Sequence, residues 1–370
     1  MKRCGSRKVL LLGCGLFALV MPSSLLGVTS SAVPDAAGDL RNLASPANVE
    51  QYFRDRFEIP ESTNVSAQPV QKANAPHFYQ TVVTVNDGKQ TRAFNAFITD
   101  DARCFAIGSV FPLSGASEAD IILCVREAAS LPAAAKVTVG TFTRTRLPGF
   151  LRSKVTVELG TKSQQGDLFV TEDRRTGVLG LVLPYRRDLV EQLIDTKGQP
   201  SIGSAHAPVT IVEYADLECP RCAMVQKFLE SEFLPKYGSR VRLIYKEFPL
   251  SFHTWSTSAA VANECAYQIE PSAFFSYRSM IFGSQDTITA GNVRDRMLAL
   301  GEEAGLNRVR LAACFDAKAS AGRIEASRRE TEALGVAGTP TFVINGRLVV
   351  NMASPAAFYR MVDEALAAGK

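Results

Sequence analysis

Apolar and polar positions alternate along Thr81-Val82-Val83-Thr84-Val85 and again along Lys154-Val155-Thr156-Val157-Glu158, which predicts two half-buried strands. Phe94-Asn95-Ala96-Phe97-Ile98 and Asp167-Leu168-Phe169-Val170 predict the strands that follow them. The acidic pairs Asp100-Asp101 and Glu172-Asp173 then suit tight turns, where short carboxylates bond nearby backbone N–H groups. Val49 to Phe57 and Ile121 to Ala129 have helical spacing, and Pro60 and Pro132 come after them. The two sets are one pattern written twice. A shift of 72 positions lays Arg54 on Arg126, Val65 on Val137, Pro76 on Pro148 and Phe78 on Phe150 without a gap. The same shift lays Phe97, Thr99, Asp101, Arg103, Gly108 and Pro112 on Phe169, Thr171, Asp173, Arg175, Gly180 and Pro184. Such self-similarity predicts two tandem small α+β repeats, 47–114 and 119–186, each a helix against a small antiparallel sheet. No His, Ser or carboxylate cluster recurs in them beyond Asp101 and Asp173, which serve the turn. They read as a packing and interaction platform.

The pattern changes after that. Arg186 to Lys197 predicts a short charged helix, and Gly198-Gln199-Pro200-Ser201-Ile202-Gly203 breaks it, so 187–203 reads as a linker helix and 204–370 as a separate domain. Pro208 to Asp216 is a β-branched run, as in a buried strand. Cys219-Pro220-Arg221-Cys222 follows at once. A helix then presents Met224, Val225, Phe228, Leu229, Phe233 and Leu234 on one face, and Gly238 stops it. Val241 to Lys246 predicts the next strand, and a helical insertion fills about 252–335. Asn345-Gly346 between apolar runs predicts a hairpin. Ser354-Pro355 opens a last helix to about Ala368.

The N-terminus adds a compartment. Lys2, Arg3, Arg7 and Lys8 precede an apolar run from Val9 to Val28, and Ser30-Ser31-Ala32 offers a small-residue cleavage site. Residues 1–32 therefore read as a signal peptide and 33–46 as a linker, which makes the mature protein periplasmic or otherwise extracytoplasmic. A retained membrane anchor stays open. So does lipid attachment at Cys14, because Leu11-Leu12-Gly13-Cys14 resembles a lipobox. A net charge of +4 over 370 residues points to no nucleic acid and no acidic partner. Of eight cysteines, Cys4 and Cys14 lie in the leader, and Cys104, Cys124, Cys219, Cys222, Cys265 and Cys314 remain. In an oxidising compartment these invite disulfides.

A strand–CxxC–helix order places Cys219 at a helix N-terminus, where unpaired N–H groups and the helix dipole favour an anion. The thiolate is the form that exchanges disulfides. Pro220 fits the first helical turn, and Arg221 adds a positive charge that tunes the same sulfur. Cys222, one turn on, is the resolving thiol. A zinc site would need two more close ligands, and the remaining cysteines are single among only three histidines. No metal and no organic cofactor are expected.

Ala207-Pro208-Val209-Thr210-Ile211-Val212-Glu213-Tyr214 with its Cys-Pro-x-Cys, and Gly338-Thr339-Pro340-Thr341-Phe342-Val343-Ile344-Asn345-Gly346, resemble the opening and closing segments of the DsbA-like thioredoxin family. The resemblance covers 196–370. It implies an α/β thioredoxin fold with a helical insertion, Pro340 as a cis-proline facing the cysteines with Thr339 before it, and Glu213 as a buried acid that helps move the resolving proton. Read alone, Glu213 also fits a solvated strand end. The resemblance also implies a structural disulfide between Cys265 and Cys314. His253 stands either at the active-site rim or in the packing of the insertion. Cys104 and Cys124 are either a pair or two free thiols.

The implied function is thiol–disulfide exchange with exported, cysteine-bearing proteins, most simply as a disulfide oxidase reset by a membrane redox partner. The repeats loosely resemble the dimerisation domain of DsbC-type isomerases. That keeps open an isomerase or reductase, and a homodimer formed through the repeats. A non-catalytic, chaperone-like binding module is the remaining alternative.

Overall fold

The alternating segments become paired strands, and the strands of the two N-terminal halves join in one sheet rather than two. The structure is a computed structural model that describes residue 40 and residues 42–115, 117–352 and 354–369. The signal-peptide, lipid-anchor and most of the linker readings lie outside the described residues. The chain divides into two compact units, one comprising residues through Arg54 and Ile59–Leu189, the other Asp55–Glu58 and Val190–Lys370. Among the described residues no helix is long and apolar enough to cross a membrane.

In the first unit, α1 (Pro46–Arg56) precedes β1 (Asn64–Ala67), β2 (Gln71–Lys72), β3 (Phe78–Asn86), β4 (Thr91–Thr99) and β5 (Cys104–Pro112). Then α2 (Glu118–Ala128) precedes β6 (Lys136–Val139), β7 (Thr143–Arg144), β8 (Phe150–Leu159), β9 (Lys162–Thr171) and β10 (Thr176–Pro184). Ser117 caps α2 by accepting the Asp120 N–H, and Ile121, Cys124, Val125 and Ala128 turn to the core. There they meet Phe111, Val155, Leu168 and Val170 of the sheet. The ten strands are ordered β1-β3-β4-β5-β10-β9-β8-β6, with β2 beside β3 and β7 beside β8.

The middle of this sheet is symmetric. β5 pairs antiparallel with β10 from Cys104 opposite Pro184 to Pro112 opposite Thr176, with Gly108 opposite Gly180. These two glycines are also partners under the 72-residue shift, so a local two-fold passes between them. Both have positive φ (135° and 145°), and a Cβ on Gly108 would stand 2.2 Å from Leu179 O, one on Gly180 2.2 Å from Ile107 O. Only glycine allows the strands to close there. The turns recur too. Thr99 Oγ1 donates to Asp101 Oδ1 at 2.6 Å, and Thr171 Oγ1 to Asp173 Oδ1 at 2.6 Å. The same carboxylate oxygens accept Arg103 N–H and Arg175 N–H. Cys104 is a free, buried thiol and Cys124 is disulfide-bonded elsewhere, so the two are neither a pair nor two free thiols.

The charged helix is shorter than the sequence implies. α3 spans Arg187–Gln192, and Asp195 N–H instead donates to Glu330 Oε1. The sheet of the second unit also begins inside the span read as linker, with β11 at Ser201–Gly203. β12 (Val209–Ala215) and β13 (Val241–Glu247) run parallel in its centre. β11 lines the other edge of β13 antiparallel, and β14 (Thr341–Ile344) and β15 (Arg347–Val350) complete the order β11-β13-β12-β14-β15. α4 (Pro220–Phe228) leaves β12 and continues through a π-helical turn, Leu229–Phe233, into α5 (Leu234–Tyr237), which Gly238 ends at φ 54°. Val225, Phe228, Leu229 and Phe233 pack on Phe342 and Phe358 as the helical spacing predicts. Met224 does not join them and is 65 % exposed. It lies one turn above the exposed Pro220, on the outer face.

The insertion consists of α6 (Ser256–Ile269), α7 (Phe274–Gly283), α8 (Val293–Glu303) and α9 (Arg308–Asp316). α10 (Ala321–Leu334) returns the chain to the sheet, and α11 (Pro355–Ala368), capped by Ser354, closes it. Cys265 on α6 and Cys314 on α9 form a disulfide with Cα atoms 5.9 Å apart.

Candidate active site

β12 runs apolar and buried to Ala215, and the chain then turns sharply. Asp216 carbonyl accepts the Cys219 N–H at 3.1 Å, which makes the turn that sets Cys219 at the head of α4. Cys219 is the N-cap, with extended backbone (φ −74°, ψ 119°), and Pro220 takes the first helical position. Cys219 is 7 % exposed and Cys222 fully buried, both as free thiols.

The two sulfurs are driven apart in acidity. Cys219 falls from 9.0 to about 5, first through a hydrogen bond from the Cys222 thiol, against the opposing cost of burial, and then through Thr339 and the backbone N–H groups of Cys222 and Arg221. Arg221 therefore reaches the sulfur by its amide, while its side chain is exposed. Cys222 is pushed well above 9.0, chiefly by burial, then by Cys219, with the charge of Glu213 adding to it. At pH 7 a pKa near 5 makes the thiolate fraction about 99 %, where a pKa of 9.0 would leave about 1 %. One sulfur is thus a ready nucleophile and leaving group, and its neighbour a held proton.

The closing loop meets this pair. The Thr339–Pro340 peptide is cis. Thr339 carbonyl oxygen lies 3.6 Å from Cys219 Sγ.

Glu213 is fully buried on β12, not at a solvated end. Its Oε2 accepts from Arg278 of α7 at 2.9 Å, and both side chains are inaccessible. Burial drives the carboxyl up and the guanidinium pulls it back. The guanidinium also lies 3.6 Å over the Tyr245 ring. Arg278 was not singled out from the sequence. Its signal is a lone charge in Phe274-Phe275-Ser276-Tyr277-Arg278-Ser279-Met280-Ile281-Phe282, an otherwise uncharged, mostly apolar helix.

Two further acids hold the active-site turn. Asp216, fully buried, accepts Glu218 N–H (2.8 Å) and Ser256 Oγ (2.6 Å) on one oxygen, and Leu250 N–H (2.7 Å) and His253 Nδ1 (2.7 Å) on the other. His253 thus belongs to the support of the turn. Glu218 turns its carboxylate away from Cys219 to accept the N–H groups of Thr254, Trp255 and Ser256 at the start of α6, at 2.7–3.0 Å. Carboxylates at a helix start are favoured there by the unpaired N–H groups.

Known proteins resemble the C-terminal part of this chain. A family model described as thioredoxin matches residues 195–364. A region of the Na(+)/H(+) antiporter NhaA 3 of Salinispora tropica is 31 % identical over 172 residues, 46 % of this chain and 24 % of the antiporter. The disulfide bond formation protein D of Bacillus subtilis is 27 % identical over 176 residues, 45 % of this chain and 76 % of that protein. The chain thus spans about a quarter of the antiporter relative. The solved structure of oxidised BdbD from Bacillus subtilis aligns over 47 % of this chain and 95 % of its own, at 24 % identity and a TM-score of 0.42.

Proposed function

Residues 195–364 form a DsbA-like thioredoxin domain, and from that premise we propose that the protein is a thiol–disulfide oxidoreductase of the cell envelope, acting on exported proteins through Cys219 and Cys222. The observation that carries the reading is the geometry of the pair: Cys219 at the N-cap of α4, one helical turn from the buried Cys222 and 3.6 Å from the Thr339 carbonyl before the cis-proline.

As an oxidase the domain starts with a Cys219–Cys222 disulfide. A substrate thiolate attacks Cys219 Sγ, the S–S bond breaks, and Cys222 leaves and takes up a proton. A second substrate thiolate then attacks the substrate sulfur of the mixed disulfide and releases Cys219 as the stabilised anion. Two electrons pass to the enzyme, and a membrane redox partner removes them. A stabilised leaving thiolate makes the enzyme's disulfide the better oxidant. Glu213 acts on the second sulfur: its negative charge, held in place by Arg278, favours the protonated form of Cys222.

The N-terminal unit we read as two copies of one fold that form a substrate or partner platform. β5 and β10, the central edges of the copies, are spent on each other. The platform therefore closes within one chain, without a second copy at that edge.

The test is dithiol oxidation and insulin reduction by the full mature chain beside Cys219→Ser. Loss of both activities in the variant is expected, and equal activity in both proteins would leave only a binding module. The equilibrium of the pair with glutathione gives direction: a strongly oxidising value fits the oxidase, a thioredoxin-like one a reductase or isomerase.

A further inference from the structure

We propose that Gln285, carried by the insertion, is a positioning residue for the nucleophile, an amide that steadies the Leu217–Cys219 turn by bonding the carbonyls at both of its ends, the second of which also accepts the Ala223 N–H at 3.2 Å. The proposal rests on the thiol-exchange reading above. Gln285 Nε2 donates to Leu217 O at 2.7 Å and to Cys219 O at 3.1 Å. No sulfur contact is involved, so its action on the chemistry runs through the backbone.

The geometry explains what that action is. Cys219 Sγ is stabilised by the N–H groups of Arg221 and Cys222 only while its backbone stays extended at the N-cap. The orientation of the Leu217 and Cys219 peptide planes sets that conformation. Both planes present their carbonyls to one side-chain amide. The two hydrogens of that amide offset the negative ends of two dipoles next to a developing anion.

Gln285 is itself held on a firm base. It opens a single 3-10 turn, Gln285–Thr287, after α7. Thr287 carbonyl accepts Asn292 Nδ2 at 3.0 Å, and Thr287 Oγ1 accepts from Arg296 at 3.0 Å. The other struts of the active-site turn come from the same insertion and the loop before it: Leu250 and His253 on Asp216, and the start of α6 on Glu218. Gln285 supplies the only side-chain bond among the described residues to the carbonyl of the nucleophile itself.

The experiment compares the full mature chain with Gln285→Ala, Gln285→Glu and Gln285→Lys. The readouts are Cys219 thiolate titration by ultraviolet absorbance, the glutathione equilibrium, and thermal unfolding of the oxidised form. Gln285→Ala should raise the Cys219 midpoint by roughly one unit and make the equilibrium about tenfold less oxidising. Gln285→Glu, which cannot donate and adds a negative charge, should shift both further. Gln285→Lys restores a donor with positive charge and should return both to the wild-type values or below. A role in packing alone would lower the unfolding temperature of all three without ordering their midpoints, and that result overturns the proposal. Midpoints of Gln285→Ala and Gln285→Glu equal to wild type overturn it as well. A wild-type Cys219 with no depressed midpoint would instead sink the exchange reading on which the proposal stands.

Discussion

The two units bury polar groups in opposite ways. In the first, the buried polar side chains are hydroxyls: Thr63, Thr81, Thr99, Ser153, Thr171 and Thr176. Thr81, Thr99, Ser153, Thr171 and Thr176 bond to backbone or turn groups, as Thr81 Oγ1 does to Gln68 O at 2.5 Å and Ser153 Oγ to Gly140 O at 2.7 Å. The second unit keeps Glu213, Asp216, Lys246, Glu247, Glu264, Arg278 and Glu330 at 2 % exposure or less. Lys246 Nζ pairs with Glu330 at 2.5 Å, and Tyr214 Oη donates to the same carboxylate at 2.8 Å. Asn263 Nδ2 donates to Glu247 at 2.6 Å, and Arg323 to Glu264 at 2.5 Å. Buried charge costs several kcal/mol per ion unless it is paired and bonded. On the function proposed above, a unit that presents a surface can avoid that cost, whereas one that holds one sulfur ionised and another protonated uses it.

From that contrast, breaking a buried pair should be the most damaging single change. Arg278→Met leaves Glu213 buried without its counter-charge, and should cost about 3–5 kcal/mol in denaturant unfolding of the full chain. Adding Glu213→Gln should recover much of the loss, because the uncompensated charge is gone. A loss below about 1 kcal/mol for Arg278→Met would mean that the charge is not held inside as described. In the first unit the worst change should instead be steric. Gly108→Ala puts a Cβ 2.2 Å from Leu179 O at φ 135° and should cost about 1–3 kcal/mol. It should leave dithiol oxidation intact. Wild-type stability in Gly108→Ala would sink the central pairing of β5 with β10.

The same contrast decides what was legible in the sequence. Half-buried strands such as β3 and β8 announce themselves by alternation. β5 and β10 do not, because Cys104 to Gly108 and Thr176 to Val178 are buried without a break. An unbroken buried run carries no period of two. The internal match at 72 positions is visible in the sequence, but not that β5 would pair with β10, since pairing is a non-local fact. Cys219, Cys222, Thr339 and Pro340 stood out by motif, and the structure brings them together. Asp216, Glu218, Arg278 and Gln285 did not stand out. Each acts across the gap between the strand–CxxC–helix core and the insertion, and no local spacing encodes that contact. Arg221 stood out by its charge, whereas the contribution seen at Cys219 comes from its backbone amide, which no side-chain pattern encodes.

A smaller effect sharpens the picture inside the active site. The Cys222 thiol is the first of the groups that depress Cys219. Cys222→Ala should therefore raise the Cys219 midpoint by roughly one unit, about 1.4 kcal/mol of differential stabilisation. Cys222→Ser keeps a hydroxyl donor and should raise it less. Equal midpoints in the alanine and serine variants would show that burial and helix position alone set the value.

The smallest effect belongs to the first unit and tests whether its ion pairs are as peripheral as its interior is neutral. His77 Nε2 lies 2.7 Å from Asp173 Oδ2 and its Nδ1 3.2 Å from Asp100 Oδ2, with the ring 41 % exposed. The hydrogen bond to Asp173 leads in raising His77 above 6.5, with burial opposing and Asp100 adding to it. Protonation therefore favours the folded form. That contribution is complete below 6.5 and disappears as pH rises through the higher folded value. Asp173 is held below its ordinary value and stays ionised throughout. Stability of the full chain should fall modestly from mildly acidic to mildly alkaline pH, added salt should reduce the fall, and His77→Gln should remove that part of it. The matching position in the other half is Gly149, so no second clasp of this kind hides the effect. A pH slope unchanged in His77→Gln would detach the histidine from the fold's stability and leave the first unit with no measured use for charge at all.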